Sequence, residues 1–159
     1  MHVRAATDAD IRHVIAHLRP INWLEITALR AEEDRAAVVA DYIALRKIAI
    51  VQRVGCLADG RPVVLAGAYE LTPTVAYVNM VATQDWHLVA GAAWRAMCRG
   101  LKQVIAPRCR RAECLIYEGN EDIAWIERMG YVREGRHPAR GKHGETFLTL
   151  AWVNPDFHG

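Results

Sequence analysis

The sequence of 159 residues lacks the features that mark several large classes of protein. It has no internal repeat and no low-complexity segment, so we expect neither a solenoid nor a disordered chain. No apolar run approaches the roughly 20 residues that a membrane-spanning helix needs. Charged residues interrupt the apolar positions of the N-terminus, which argues against a signal peptide. We therefore expect a soluble, cytoplasmic protein without membrane contacts.

The cysteines and histidines lack the spacing of a metal site. None of the four cysteines forms a Cys-x-x-Cys pair, and no histidines follow Cys109 and Cys114 at the spacing of zinc ligands. His87, His137 and His143 are not spaced as ligands either. We expect reduced thiols and no bound metal.

An excess of charge of one sign is also missing. The 20 Lys and Arg against 18 Asp and Glu give a net charge of +2, which does not favour a nucleic-acid-binding protein. Arg95, Arg99 and Lys102 recur at helical spacing and fit a phosphate-binding or nucleic-acid surface as well as a solvated helix face. They fall toward the far end of a predicted helix, so we favour solvation or contact with a partner protein.

What is present is enough apolar material for one core. Hydrophobic residues make up 52% of the chain, and its length predicts a single domain over residues 1–159. After a short strand, Thr7 and Asp10 form a capping-box pattern, followed by an apolar stripe at helical spacing. Pro20 is expected to end this first helix. The next helical stretch is predicted to be two helices with a break near residues 31–34.

The remaining pattern alternates strands and helices. Turn signals at Asp59-Gly60 and Thr72-Pro73 predict an antiparallel meander of three strands. Asp85 is expected to cap a long helix that ends near Pro107, and Gly130 is expected to end a late helix in a left-handed conformation. The sequence predicts an α/β fold with a mixed, mostly antiparallel sheet of six to seven strands and helices on both faces.

Two segments resemble the GNAT N-acetyltransferase superfamily, and the resemblance extends over essentially the whole chain. The segment "VRAATDADIRHVIAHL" (3–18) resembles the first strand and helix of that fold, and "NEDIAWIERMGYVREG" (120–135) resembles its late helix-Gly-aromatic segment. A narrower similarity rests on two segments, "LRPINWLEI" (18–26) and the late segment. Both are similar to segments of small GNAT-like proteins of short-tailed bacteriophages.

The resemblance implies a binding site for acetyl-CoA. In GNAT proteins the fourth and fifth strands splay apart and admit the pantetheine arm, and the start of the following helix binds the pyrophosphate. Here those strands correspond to residues 75–83 and 112–118. The resemblance then implies that the acetyl-CoA site includes Val81, Ala82, Thr83, Leu88, Gly91 and Asn120. Asn120 also suits the N-cap of the next helix.

The sequence departs from the superfamily at two places. The usual phosphate loop reads Gln/Arg-x-x-Gly-x-Gly/Ala, but residues 82–94 echo it only at Gln84 and Gly91-Ala92, with different spacing. Asp85 would repel a pyrophosphate there. Many members also have a Tyr four residues before the late glycine as general acid, and Ile126 stands at that position.

Three residues are candidates for proton transfer. Glu70, near the end of the third strand and facing the centre of the sheet, and Glu118 are candidate bases, and Tyr117 is a candidate replacement for the missing acid. Each also has an ordinary explanation. Glu70 fits an exposed strand end, and Tyr117 fits a packed aromatic residue.

Two functions remain open at this point. The first is an N-acetyltransferase that transfers an acyl group from acetyl-CoA to a small-molecule or protein amine. The second is a catalytically inactive GNAT-fold protein with a protein partner or a second copy of itself, such as a phage virion-associated protein. A nucleic-acid-binding module ranks third, because the basic residues form no recognisable motif.

Overall fold

Seven strands form one mixed sheet in the structure, a computed structural model that describes residues 1–157. Their spatial order is β1-β2-β3-β4-β5-β7-β6, and only the β4–β5 pair among them is parallel. This confirms the predicted fold class. The predicted domain end at residue 159 lies outside the described residues. In chain order the strands are β1 (His2–Ala5), β2 (Ala49–Cys56), β3 (Pro62–Thr72), β4 (Val75–Ala82), β5 (Arg111–Tyr117), β6 (Val132–His137) and β7 (Phe147–Val153).

Helices cover both faces of this sheet, as the sequence predicts. Three of them pack on one face over β2, β3 and β4, and the other two pack on the opposite face. The first group is α1 (Asp8–Ala16), α2 (Pro20–Ala28) and α3 (Arg35–Ile48), and the second is α4 (Ala90–Gly100) and α5 (Ile123–Glu127).

The first helix begins as its capping-box pattern predicts. The Thr7 hydroxyl accepts a hydrogen bond from the Asp10 N–H, and the Asp10 carboxylate accepts one from the Thr7 N–H. Pro20 does not end this helix, as the sequence suggested. The helix ends at Ala16, and Pro20 occupies the first position of α2, where its missing N–H would have no helical partner.

The predicted start of the long helix, directly after Asp85, is wrong. A 3₁₀ helix spans Gln84–Leu88, and α4 starts only at Ala90. Asp85 does not cap it. Its N–H instead donates to the Thr83 hydroxyl, and its carboxylate forms an ion pair with Arg61. A π-helical turn, Leu101–Ile105, extends α4 toward the predicted end.

The late glycine performs the turn that its sequence context predicts. Gly130 has a φ of +96°, in the left-handed region, and β6 begins two residues later. The helix before it, α5, has only five residues. The chain thus reverses from helix to sheet within a single tight turn.

Two classes of feature are not found in residues 1–157. No helix there combines the length and the apolar character that crossing a membrane requires. No group of three or more His, Cys, Asp or Glu side chains in that range is arranged to hold a metal ion.

Candidate active site

The two central strands open into a wedge, as the resemblance implies. The pairs that join β4 to β5 are Val75–Arg111, Ala76–Ala112 and Tyr77–Glu113. Beyond them the strands continue to Ala82 and Tyr117 without further pairing to each other. A parallel pair that separates in this way leaves backbone groups of both strands directed into the opening.

A cavity of about 510 Å³ occupies this wedge, and both faces of the sheet contribute to its lining. Alternate residues of β4 point to opposite faces. Val78 and Met80 point toward α4, and Val81 packs with α1 and α3. We therefore distinguish an α4 side of the cavity from an α2 side. The α2 side is lined by Asn22, Glu25, Ile26, Leu29, Tyr42, Tyr77, Asn79, Leu115 and Phe147.

Residues of the α1–α2 segment hold the open end of the wedge on the α2 side, through one backbone N–H and two side chains. The Asn22 Oδ1 accepts a hydrogen bond of 2.9 Å from the Ala82 N–H, and the Arg19 N–H donates to the Ala82 carbonyl at 2.9 Å. The Glu25 Oε1 accepts from the Tyr117 N–H at 3.1 Å. These contacts, which we call the brace, satisfy the end of each strand without pairing the strands.

Glu25 is the ionisable group that the brace presents to the cavity. Its Oε1 also accepts from Asn120 Nδ2 at 2.7 Å, and its Oε2 accepts from Asn22 Nδ2 at 3.2 Å. These partners are neutral amides, and none of the salt bridges formed by residues 1–157 includes Glu25. Burial raises its pKa above the ordinary value, although the three hydrogen bonds oppose the shift. A carboxylate whose pKa is raised is a stronger base than an ordinary glutamate.

The neighbouring groups in the cavity stay protonated. Burial, reinforced by the negative charge of Glu25, raises the pKa of the Cys114 thiol to about 12. Burial also raises the pKa of Tyr77. A thiolate nucleophile is therefore not available at neutral pH, and the cavity does not favour a mechanism with a covalent cysteine intermediate.

The start of α4 is better suited to an anion than the sequence suggested. No side chain caps its first turn, and that turn contains no acidic residue. Asp85, expected to repel a pyrophosphate, is held by Arg61 instead. The bulky Trp86 is buried against the core and contacts Trp125 edge to face.

The predicted cofactor residues occupy different environments. Val81 and Asn120 line the cavity. Ala82 lies at the open end of β4, where the brace takes its backbone groups, and Thr83 caps the 3₁₀ helix. The last two, Leu88 and Gly91, are exposed on either side of the start of α4, in a part of the surface outside the cavity lining.

The structure does not bring the three predicted proton-transfer residues together. Glu70 is exposed and lies opposite Ala76, at the end of the sheet where β4 and β5 are paired. Glu118 forms an ion pair with Arg136, and the hydrogen bonds from Arg136 lower the pKa of Glu118. Tyr117 ends β5 with its ring against Phe147, and its N–H holds Glu25. Their catalytic roles stay predictions.

The sequence reasoning missed Asn22 and Glu25. Both belong to the segment 18–26, which we used only as a point of resemblance. The available signal was their spacing of three residues, which places two polar side chains on one face of a helix otherwise rich in apolar residues. Asn120 is not the N-cap of α5, as the sequence suggested: the N-cap is Asp122, and the Asn120 Oδ1 accepts from the Asp122 N–H in the turn before the helix.

Comparison with known proteins identifies the fold. No family model matches the chain, and no curated protein matches it by sequence. A phosphinothricin acetyltransferase of the GNAT superfamily from Sinorhizobium meliloti, solved with acetyl-CoA, has a TM-score of 0.74 at 15% identity over 96% of this chain and 88% of that one. A ribosomal-protein-alanine N-acetyltransferase from Brucella melitensis has a TM-score of 0.74 at 16% identity, with 96% and 99% covered. A spermidine N-acetyltransferase from Vibrio cholerae has a TM-score of 0.68 at 13% identity, with 97% and 95% covered.

These similarities bear on architecture rather than on chemistry. At such low identity they show the fold alone. None of the three is described as a phage or virion protein, so the narrower resemblance stays a prediction. The chain has the fold of the GNAT N-acetyltransferases.

Proposed function

We propose that the chain is an acyl-CoA-dependent N-acyltransferase, which transfers an acetyl group from acetyl-CoA to an amine. The observation that carries this proposal is the wedge between β4 and β5, together with the cavity of about 510 Å³ that is lined from both faces of the sheet. An opening of this kind brings two reactants together from opposite sides. The N-acetyltransferase neighbours, one of them an acetyl-CoA complex, support it.

The start of α4 and the open edges of the wedge both fit acetyl-CoA. The first turn of α4, Ala90, Gly91 and Ala92, offers uncapped N–H groups and no large side chain to a pyrophosphate. The unpaired edges of β4 and β5 offer backbone groups to the pantetheine arm. Acetyl-CoA would supply a thioester carbonyl as the electrophile of the reaction.

We assign proton transfer from the amine to Glu25. An ammonium group must lose a proton before its nitrogen becomes nucleophilic, and the Glu25 carboxylate lines the α2 side of the cavity with a raised pKa. Asn22, Asn120 and the Tyr117 N–H orient the carboxylate through their hydrogen bonds. Tyr117 remains our prediction for the group that returns a proton to the leaving sulfur.

The test combines calorimetry with a thiol-release assay. We expect acetyl-CoA to release or absorb heat on binding, and Glu25→Gln to lower kcat/KM by roughly 10²- to 10⁴-fold, the usual contribution of a general base. Glu121→Gln removes a charge from an exposed turn residue and is the matched control. Absence of any heat with acetyl-CoA at high micromolar protein would overturn the proposal.

The second candidate function is a non-catalytic scaffold for a partner protein or a second copy of the chain. The observation that favours it is the brace, because Asn22 and Arg19 already occupy both backbone groups of Ala82. A virion-associated protein is one form of this alternative, and the cytoplasmic location stays a prediction. The calorimetric experiment separates the two functions.

A further inference from the structure

Three carboxylates that are buried or partly buried differ in their partners. Asp10 is buried against Arg4, with 2.5 Å between Nη1 and Oδ2, and Asp122 is buried against Arg19, again with 2.5 Å between nitrogen and oxygen. Glu25 has only neutral amide donors, as described above. A carboxylate removed from water without a cationic partner costs free energy, and a bound cation would offset that cost. The α2 side therefore lacks one positive charge.

Among residues 1–157, those that line the same side include no cation to pair with a negative charge. Arg53 and Arg99 do line the cavity, but Arg53 shares the face of Met80 in the strand register, and Arg99 belongs to α4. Both therefore lie on the α4 side. Within residues 1–157, no Lys, Arg or His lines the α2 side. The acidic residues of the cavity lining, Glu25 and Asp122, would repel a carboxylate placed there, and Arg140, whose charge reaches Tyr77, lies outside the lining.

The remaining walls of the α2 side are mostly apolar. Ile26 and Leu29 come from α2, Leu115 from β5 and Phe147 from β7. Such walls favour a ligand with an apolar body over one with a polar chain, because burial of apolar surface is the main gain in free energy on binding.

The geometry points to an acceptor with one ammonium group on a compact apolar body and no carboxylate or second charge. This assignment rests on the proposed function and names its substrate class. Glu25 binds the ammonium group before it takes the proton, and the apolar walls hold the body. An amino acid would bury an unpaired carboxylate, and a diamine would bury a second cation without a second acid.

The loop between β6 and β7 lies beside this side of the cavity. The Lys142 N–H donates to the Ala28 carbonyl at 2.8 Å, and the Lys142 ammonium pairs with Glu33, so the loop is attached to the end of α2. Arg140 of this loop is exposed and outside the cavity lining. It is the cation to remove when a carboxylate-bearing acceptor is tested.

The experiment compares acceptors that differ by one group. We expect kcat/KM for 2-phenylethylamine to exceed that for phenylalanine by about 100-fold, and pentylamine to exceed 1,5-diaminopentane by about tenfold or more. Both pairs are measured with the wild-type chain, so the comparison does not depend on a variant that folds poorly. An NMR titration of each amine without acetyl-CoA measures binding separately, and Glu25→Gln is expected to abolish it.

The outcomes are distinguishable. If the kcat/KM for phenylalanine or for the diamine equals that for the monoamine it is compared with, the substrate class is wrong while the proposed function stands. Loss of phenylalanine turnover in Arg140→Gln would then identify the cation responsible. If the monoamines bind through Glu25 but acetyl-CoA neither binds nor reacts, the amine site stands and the proposed function falls.

Discussion

The two ends of the β4–β5 pair satisfy their backbone groups in different ways. At the start, Val75, Ala76 and Tyr77 pair directly with β5. At the far end, side chains of α2 and the residue before it take the hydrogen bonds of Ala82 and Tyr117. The same two strands are thus closed at one end and held open at the other. The opening is a property of the folded chain itself, since it does not depend on a ligand to satisfy these groups.

The same contrast separates the acidic residues. Glu70 lies at the closed end and is exposed, so water satisfies its charge. Glu25 lies at the open end and is satisfied by amides. Position along one strand pair therefore determines which of the two carboxylates lines the cavity.

The largest loss of stability at the open end is expected when Asp122, the acid that pairs with Arg19, is removed. Asp122→Ala leaves the Arg19 guanidinium buried without its partner, and we expect the free energy of unfolding to fall by about 3–5 kcal/mol. Urea denaturation measures the change. Asp41→Ala removes the acid of the more exposed Arg30–Asp41 pair and should cost about 1 kcal/mol or less. Equal losses of unfolding free energy in the two variants would mean that the buried Arg19–Asp122 pair does not stabilise the fold more than an exposed pair does.

A change at the start of α4 separates stability from affinity. Gly91→Asp places a negative charge in the first turn, where it should stabilise the helix by about 0.3–1 kcal/mol. The same charge should weaken acetyl-CoA binding by about tenfold or more, because it opposes a pyrophosphate. Gly91→Ala is the control, since its added methyl group meets only the Arg95 guanidinium at 3.8 Å. If both variants bind acetyl-CoA equally, the pyrophosphate lies elsewhere.

Two carboxyl groups should give opposite dependences of stability on pH. The pKa of Asp10 is lowered below its usual range, first by the hydrogen bonds from Arg4, so its contribution is lost as the pH falls below about 4. The pKa of Glu25 is raised, so the wild type should lose stability relative to Glu25→Gln as the pH rises above about 4. Urea denaturation of wild type, Asp10→Asn and Glu25→Gln between about pH 3 and 7 measures both slopes. Slopes of the same sign would refute the contrast.

The smallest effects are expected for the two acids that sequence reasoning singled out. Glu70→Gln and Glu118→Gln should change kcat/KM by less than about twofold, because Glu70 is exposed at the closed end and Glu118 is exposed and paired with Arg136. The thiol-release assay measures each variant beside wild type. A loss comparable to that of Glu25→Gln would return the role of base to the residue concerned.

Local sequence signals predicted the framework of the fold well. The capping box at Thr7, the left-handed Gly130 and the turns of the meander depend on neighbouring residues, and such signals can be recognised in a single sequence. The start of α4 could not be found in this way. Asp85 suits an N-cap locally, but Arg61, which is distant in sequence, takes its carboxylate.

The candidate site was predictable only in outline. The resemblance led to the wedge, but the brace joins α2 to residues 60 to 95 positions further along the chain. Glu25 looks like an ordinary helical glutamate in the sequence. Its place in the proposed function follows from tertiary contacts that partly bury it without a counter-ion, and no pattern of spacing records such contacts.

The short closed end of the wedge has a mechanical consequence. Three residue pairs join the half-sheet β1–β4 to the half-sheet β5–β7. We expect segments joined by so few backbone pairs to exchange their amide hydrogens as separate cooperative units. A molecule lying between them as an additional strand would merge the two units into one, so that filling the gap would slow exchange in strands that the molecule never touches.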